Sequence, residues 1–177
     1  MNTVEVENSK FYTKIIESAH QVERKTWNEC ANFNNDDTNI GNPFLSHEFF
    51  CCLEDSGSVS KETGWISQHI LLSDSNSIVG ILPNFIKNHS WGEYIFDQVF
   101  AQALENAGGK YYPKLLSAVP FSPVPGERFL IKAGYDKQEI IKLLLNALEE
   151  LIKIYKVSSG HINFINKDQI KYFSSEH

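Results

Sequence analysis

Residues 65–87 read WISQHILLSDSNSIVGILPNFIK, two apolar β-rich runs joined by Asp74, Ser75, Asn76 and Ser77. Short polar side chains between Ile/Leu/Val-rich flanks predict an antiparallel hairpin, because they bond back to the turn backbone while the flanks favour pleated structure. Downstream, Asp136 and Glu139 form a capping-box-like pair, and Ile140, Ile141, Leu144, Leu145, Leu148, Leu151, Ile152 and Tyr155 share one face, which predicts a helix over 136–155. Ser158-Ser159-Gly160 ends it before a strand at His161–Ile165, and Asn166 opens a last short helix.

Between these anchors, Gln98–Ala107 reads as a helix stopped by Gly108-Gly109, Tyr111–Val119 as extended, Pro120–Gly126 as loop and Phe129–Ile131 as a strand. Upstream, Ser46 caps a short helix carrying Phe49, Phe50 and Leu53, which Asp55-Ser56-Gly57 ends. Residues 32–42, rich in Asn and Asp, read as a surface loop. Val4 and Val6 suggest a strand, and Phe11, Tyr12, Ile15, Ile16, Ala19 and Val22 a helix begun at Ser9. Strands interleaved with helices indicate an α/β (α+β) layer fold on a mixed sheet, in a single domain over 1–177 with no repeat and no linker.

The 177 residues carry 16 Lys and Arg against 22 Asp and Glu, a net charge of −6, with 42% hydrophobic and 12% aromatic residues. That hydrophobic fraction excludes disorder throughout, and the lack of a Lys/Arg stripe argues against DNA or RNA as a partner. The acidic start Met1-Asn2-Thr3-Val4-Glu5 is unlike a signal peptide, and charges interrupt the apolar stretch 140–155 too often for a membrane span. Cys30, Cys51 and Cys52 match no zinc spacing and read as reduced core residues, which places the chain in the cytoplasm with no metal.

Several short motifs occur in one order: Asn42-Pro43-Phe44-Leu45-Ser46-His47, Ser56-Gly57-Ser58, Thr63-Gly64-Trp65 with Gln68-His69, and Lys87-Asn88-His89-Ser90-Trp91-Gly92-Glu93-Tyr94 with Phe96-Asp97. Ala107-Gly108-Gly109, Tyr111-Tyr112-Pro113-Lys114-Leu115, Ala118–Val124, Gly126 and Arg128 follow. Together they resemble the FemAB-like, GNAT-related N-acyltransferase family of peptidoglycan biosynthesis or recognition, most strongly over 42–132. The resemblance implies a GNAT-like, largely antiparallel mixed sheet flanked by helices. It also implies transfer of an acyl or aminoacyl group from acyl-CoA or aminoacyl-tRNA to an amine on a small-molecule or peptide acceptor. It further implies that the chain corresponds to the N-terminal half of a tandem protein, incomplete without a second GNAT-like half. Two alternatives remain, a non-catalytic acceptor- or peptide-binding module and a truncated product without activity.

Amide formation needs a proton acceptor for the incoming ammonium and donors that polarise the carbonyl. His47 with Glu48, and His89 with Glu93, are the clusters suited to proton transfer, so His47, His89 and Glu93 are the candidate catalytic residues. The competing reading makes His47 and Glu48 first-turn capping residues and His89 a hydrogen-bonded loop residue. Trp91, Tyr94, Tyr111 and Tyr112 with Lys114 and Arg128 form a candidate groove for a carboxylate-bearing substrate, or pack as a sheet rim. Asp97 either binds an ammonium or caps the helix that follows it. The place of a coenzyme A pyrophosphate seat, Lys132-Ala133-Gly134-Tyr135-Asp136, has one glycine, and Asp136 stands where phosphate oxygens would sit, so no cofactor bound by this half is expected.

Overall fold

The Asp74–Ser77 turn closes as the sequence predicts, with Asp74 Oδ1 accepting hydrogen bonds from Asn76 N and Ser77 N at 2.8 and 2.9 Å. Around it the computed structural model describes residues 10–33 and 41–173. The flanking runs pair antiparallel, Ile70 opposite Leu82 and Leu71 opposite Ile81. Each run is nevertheless broken, so the mixed, largely antiparallel strand structure that the sequence predicts is divided between two sheets. The strands β1 (Tyr12–Ile16), β2 (Trp65–Ser67), β3 (His69–Ser73), β4 (Ile78–Leu82), β5 (Phe85–Lys87), β6 (Lys114–Ser117), β7 (Leu130–Ile131) and β8 (Gly160–Ile162) form two sheets. Their orders are β1-β3-β4-β7 and β2-β5-β6-β8, antiparallel except for the parallel pair β6-β8.

The break follows from residues 68 and 83–84. Pro83 has no N–H to give a ladder. Asn84 is buried and spans the junction, its Nδ2 donating to Gln68 O, its N–H to His69 Nδ1, and its Oδ1 accepting from Ser117 Oγ. One chain reversal therefore feeds both sheets, and the end of β5 swings away from the hairpin turn.

Helices α1 (Arg24–Cys30) and α2 (His47–Asp55) lie over one part of the core, where Trp27, Phe50, Trp65 and Phe85 pack together. Helix α4 (Lys137–Tyr155) buries Ile140, Leu144, Leu148 and Leu151 in the other part. Two caps are those predicted: Ser46 Oγ accepts from Phe49 N, and Asp136 Oδ1 from Glu139 N at 2.8 Å. Helices α3 (Gln98–Asn106) and α5 (Lys167–Ile170) complete the order.

Two readings are corrected, and one helix was not foreseen. The helix expected across Phe11–Val22 is strand β1 with a 3-10 turn at Ala19–Gln21; Thr13, Ile15 and Ile16 are β-branched, and the edge of β3 was available to pair them. Helix α1 had no side-chain cap to announce it. Cys30 and Cys51 are buried, but Cys52 is exposed. The Val4–Val6 strand, Ser9 and most of the 32–42 loop lie outside the described residues.

Glu54 ties the N-terminal strand to α2 and β2. Its carboxylate accepts from Ser18 Oγ at 2.6 Å, Ser67 Oγ at 2.9 Å and Ala19 N, with the buried His69 ring 3.6 Å away. Burial alone would raise its pKa, but these donors outweigh it and bring it down to about 2.

A group depressed in this way adds stability above its ordinary pKa of 4.5 that is lost as pH falls toward 2. Glu54→Gln is expected to lose about 2–3 kcal/mol at neutral pH and nothing near pH 2, read from urea unfolding across that range. A Cβ on Gly80 would lie 2.8 Å from Ile140 Cγ2. Gly80→Val is therefore expected to cost about 1–3 kcal/mol by pushing α4 off β4, measured by the same titration.

Candidate functional site

Strands β2, β5 and β6 bring Trp65, Lys87 and Lys114 into one cross-strand row, Trp65 opposite Lys87 and Lys87 opposite Lys114. Both lysines are buried. Two like charges directly across a buried sheet are unfavourable unless something neutralises them. The irregular segment 88–97 does so.

Gly92 and Tyr94 both adopt left-handed backbone, at φ +79° and +56°. A side chain at 92 would collide with the Phe121 ring, so this position requires glycine. The kink buries Glu93 while Trp91 and Tyr94 remain exposed. Glu93 Oε2 lies 2.8 Å from Lys114 Nζ, and Asp97 Oδ2 lies 2.8 Å from the same nitrogen. Lys114 also donates to Ser90 Oγ at 3.0 Å. Ser90 Oγ and Tyr111 OH donate to Asp97 Oδ2 at 2.9 and 2.7 Å, and Tyr112 OH meets Ser90 Oγ at 2.7 Å. Lys87 Nζ sits 3.8 Å from the Trp65 ring centroid and donates to Trp91 O at 3.3 Å.

Two lysines and two carboxylates thus make a buried cluster of zero net charge. Its members are not equivalent. Burial raises the Glu93 carboxyl above the ordinary range, against the pull of Lys114 and Lys87. Burial pushes Asp97 upward too, but its bonds from Lys114, Ser90 and Tyr111 prevail and its pKa falls. Burial brings Lys87 down to about 8. Two neighbouring carboxylates with pKa values driven apart are an arrangement that proton-transfer sites use, one group holding charge while the other can exchange a proton. Glu93 Oε1, Asp97 Oδ1 and Trp65 Nε1 are buried without hydrogen-bond partners among the described residues, which leaves acceptor and donor capacity unspent here.

The expected site residues are therefore only partly gathered. Glu93, Asp97, Tyr111, Tyr112 and Lys114 meet in the cluster, with Trp91 and Tyr94 above it. Asp97 stands at the N-cap of α3 but makes no capping bond, so the capping alternative is corrected: the ammonium it holds is that of Lys114. His89 is the loop residue of the second reading, its Nδ1 accepting from Trp91 N at 3.2 Å. His47 shares no partner with the cluster. Its Nε2 meets Ala19 O at 3.0 Å and its ring packs on Trp27, because α2 orients it into the junction with α1.

Arg128 leaves the groove altogether. It is buried, and its guanidinium donates to the backbone carbonyls of Asn163, Glu127 and Val124, tying the proline loop to the chain after β8. Burial lowers its pKa to about 10.

Lys87 and Ser90 were missed by the sequence reading, although both lie within the motif that ends at Tyr94. Only the register that places Lys87 between Trp65 and Lys114 reveals its role. His161 joins the periphery, its ring on Tyr111 and its Nε2 2.8 Å from Ser159 Oγ. No group of metal-ligating side chains occurs among the described residues, and no described helix is long and apolar enough to cross a membrane.

A family model described as FemAB_like, peptidoglycan biosynthesis/recognition, matches residues 18–177, most of the chain. No curated protein and no solved structure matches it.

Removing Lys114 leaves two buried carboxylates uncompensated. Lys114→Met is expected to cost about 3–5 kcal/mol in urea unfolding at pH 7, and less at pH 4, where protonation relieves the carboxylates. Adding Glu93→Gln and Asp97→Asn to it is expected to restore part of the loss.

Proposed function

The chain belongs to the FemAB-like family, and on that premise we propose that it is a transferase of peptidoglycan biosynthesis that moves an acyl or aminoacyl group onto an acceptor amine. The observation that carries this reading is the buried cluster on Lys114, where two carboxylates share one ammonium and their pKa values are driven apart, Asp97 below and Glu93 above the ordinary carboxylate range. Glu93 takes the proton from the acceptor ammonium. The freed amine attacks the donor carbonyl, a C–N bond forms, the bond to the leaving group breaks, and the leaving oxygen or sulfur takes up the second proton that the nitrogen gives up on becoming an amide. Asp97 and Lys114 keep the local field fixed throughout, and Trp91, Tyr94, Tyr111 and Tyr112 hold a peptide or amino-sugar acceptor by their faces.

The donor is acyl-CoA or aminoacyl-tRNA. A pyrophosphate seat at the start of α4 does not fit these residues, because Asp136 Oδ1 already takes the Glu139 N–H and adds negative charge there. The donor therefore belongs on other residues or on a second domain of the same class. Free cysteines support a reducing compartment, hence the cytoplasm.

One observation favours a second reading. Glu93 is closed off from solvent beneath its own loop. If that loop stays shut, the domain binds the acceptor through its exposed aromatics and does no chemistry.

The test is incubation of the purified chain with an amine-bearing muropeptide and each donor class, followed by mass spectrometry. Turnover is expected, with Glu93→Gln lowering kcat about 100-fold or more at unchanged acceptor KM. Its acid limb is expected above the ordinary carboxylate range, since protonated Glu93 cannot act as base. Saturable muropeptide binding without turnover by either donor would select the recognition reading.

A further inference from the structure

Helix α3 projects from the body with only Ala101 buried. Ahead of it and along it, Trp91, Phe96, Val99 and Phe100 are 78%, 85%, 76% and 72% exposed, and Tyr94 and Leu104 flank them. Val99, Phe100 and Leu104 fall at helical spacing on one side of α3, and Phe96 stands just ahead of it. At the side-chain areas usual for such residues, the patch exposes roughly 700–900 Å². That exceeds the 300–600 Å² or so of the largest apolar patch on an ordinary monomer. It equals the area of about 800 Å² that each partner contributes to a stable interface.

The charges decide what covers it. Between 91 and 104 the only charged residues are Glu93 and Asp97, both buried against Lys114. The apolar stripe therefore carries no exposed charge of its own although the chain carries −6, the next charge along α3 being the exposed Glu105. A second copy can approach Phe96, Val99 and Phe100 without meeting an exposed charge between 91 and 104. A lipid surface is disfavoured, because an interfacial helix draws affinity from Lys and Arg on its polar face, and none occurs from 88 to 109.

We propose that this face is an isologous dimer interface, with Phe96 and Phe100 of one copy packed against the same residues of the other about a two-fold axis. The dimer competes with the acceptor of the transfer reading for Trp91 and Tyr94, since the segment whose inner side offers Glu93 and Asp97 to Lys114 offers Trp91, Tyr94 and Phe96 outward.

The test is sedimentation velocity of the full chain from about 1 to 100 μM, a range bracketing ordinary dimer affinities. A species of twice the chain mass is expected. Phe96→Asp with Phe100→Asp is expected to raise the dissociation constant by at least about 30-fold, as loss of a hot spot does, with the far-ultraviolet circular dichroism unchanged. If that pair does not fold, Val99→Lys, on the same exposed stripe, is expected to weaken the dimer likewise. A monomer at every concentration would overturn the proposal, as would a dimer indifferent to these changes. So would a chain that remains monomeric yet co-sediments with phosphatidylcholine vesicles through the same residues.

Discussion

Two lysines face each other across neighbouring strands in the interior of this protein, and much of the structure around them is arranged to make that tolerable. Lys87 rests on the Trp65 ring and a backbone carbonyl, while Lys114 holds Glu93, Asp97 and Ser90 at once. An ammonium buried without such partners would lose far more hydration than packing returns. The kinked 88–97 segment, its left-handed Gly92 and Tyr94, the paired tyrosines 111 and 112 and the placement of α3 serve this one electrostatic requirement.

The requirement is met only because the hairpin serves two sheets. Pro83 and Asn84 stop one ladder, and β5 restarts beside β6, which sets Lys87 next to Lys114. On the other side of the junction, Glu54 collects donors from the N-terminal strand, α2 and β2. Two buried acidic centres thus bracket the chain. Glu54 is satisfied on every side and fastens the fold, whereas Glu93 and Asp97 retain unpaired oxygens that suit a site open to chemistry.

Much of the fold was legible from local signals. Asp74–Ser77, Ser46 and Asp136 act through their own side chains on backbone two or three residues away, so their effects are written in short windows. The segment 11–22 was misread because its apolar spacing satisfies both a helix and a strand, and pairing with β3 made the choice. The site was half legible. Glu93, Asp97, Tyr111, Tyr112 and Lys114 lie in polar-aromatic motifs conspicuous in the chain, but nothing local distinguishes them from His47 and Arg128, whose polar atoms are spent on carbonyls elsewhere.

By itself, then, the sequence determined the hairpin, the long α4 helix, the loop of prolines, the mixed α and β class and the family, since each rests on neighbours a few residues apart or on motifs in fixed order. Only the tertiary structure decided that the strands split into two sheets, that Asp97 turns inward to Lys114 rather than capping α3, and that Lys87 belongs to the cluster. The physical reason is range. Caps and turns are short-range bonds, whereas the balance of buried charge depends on which strands lie side by side, and that pairing joins residues far apart in the chain.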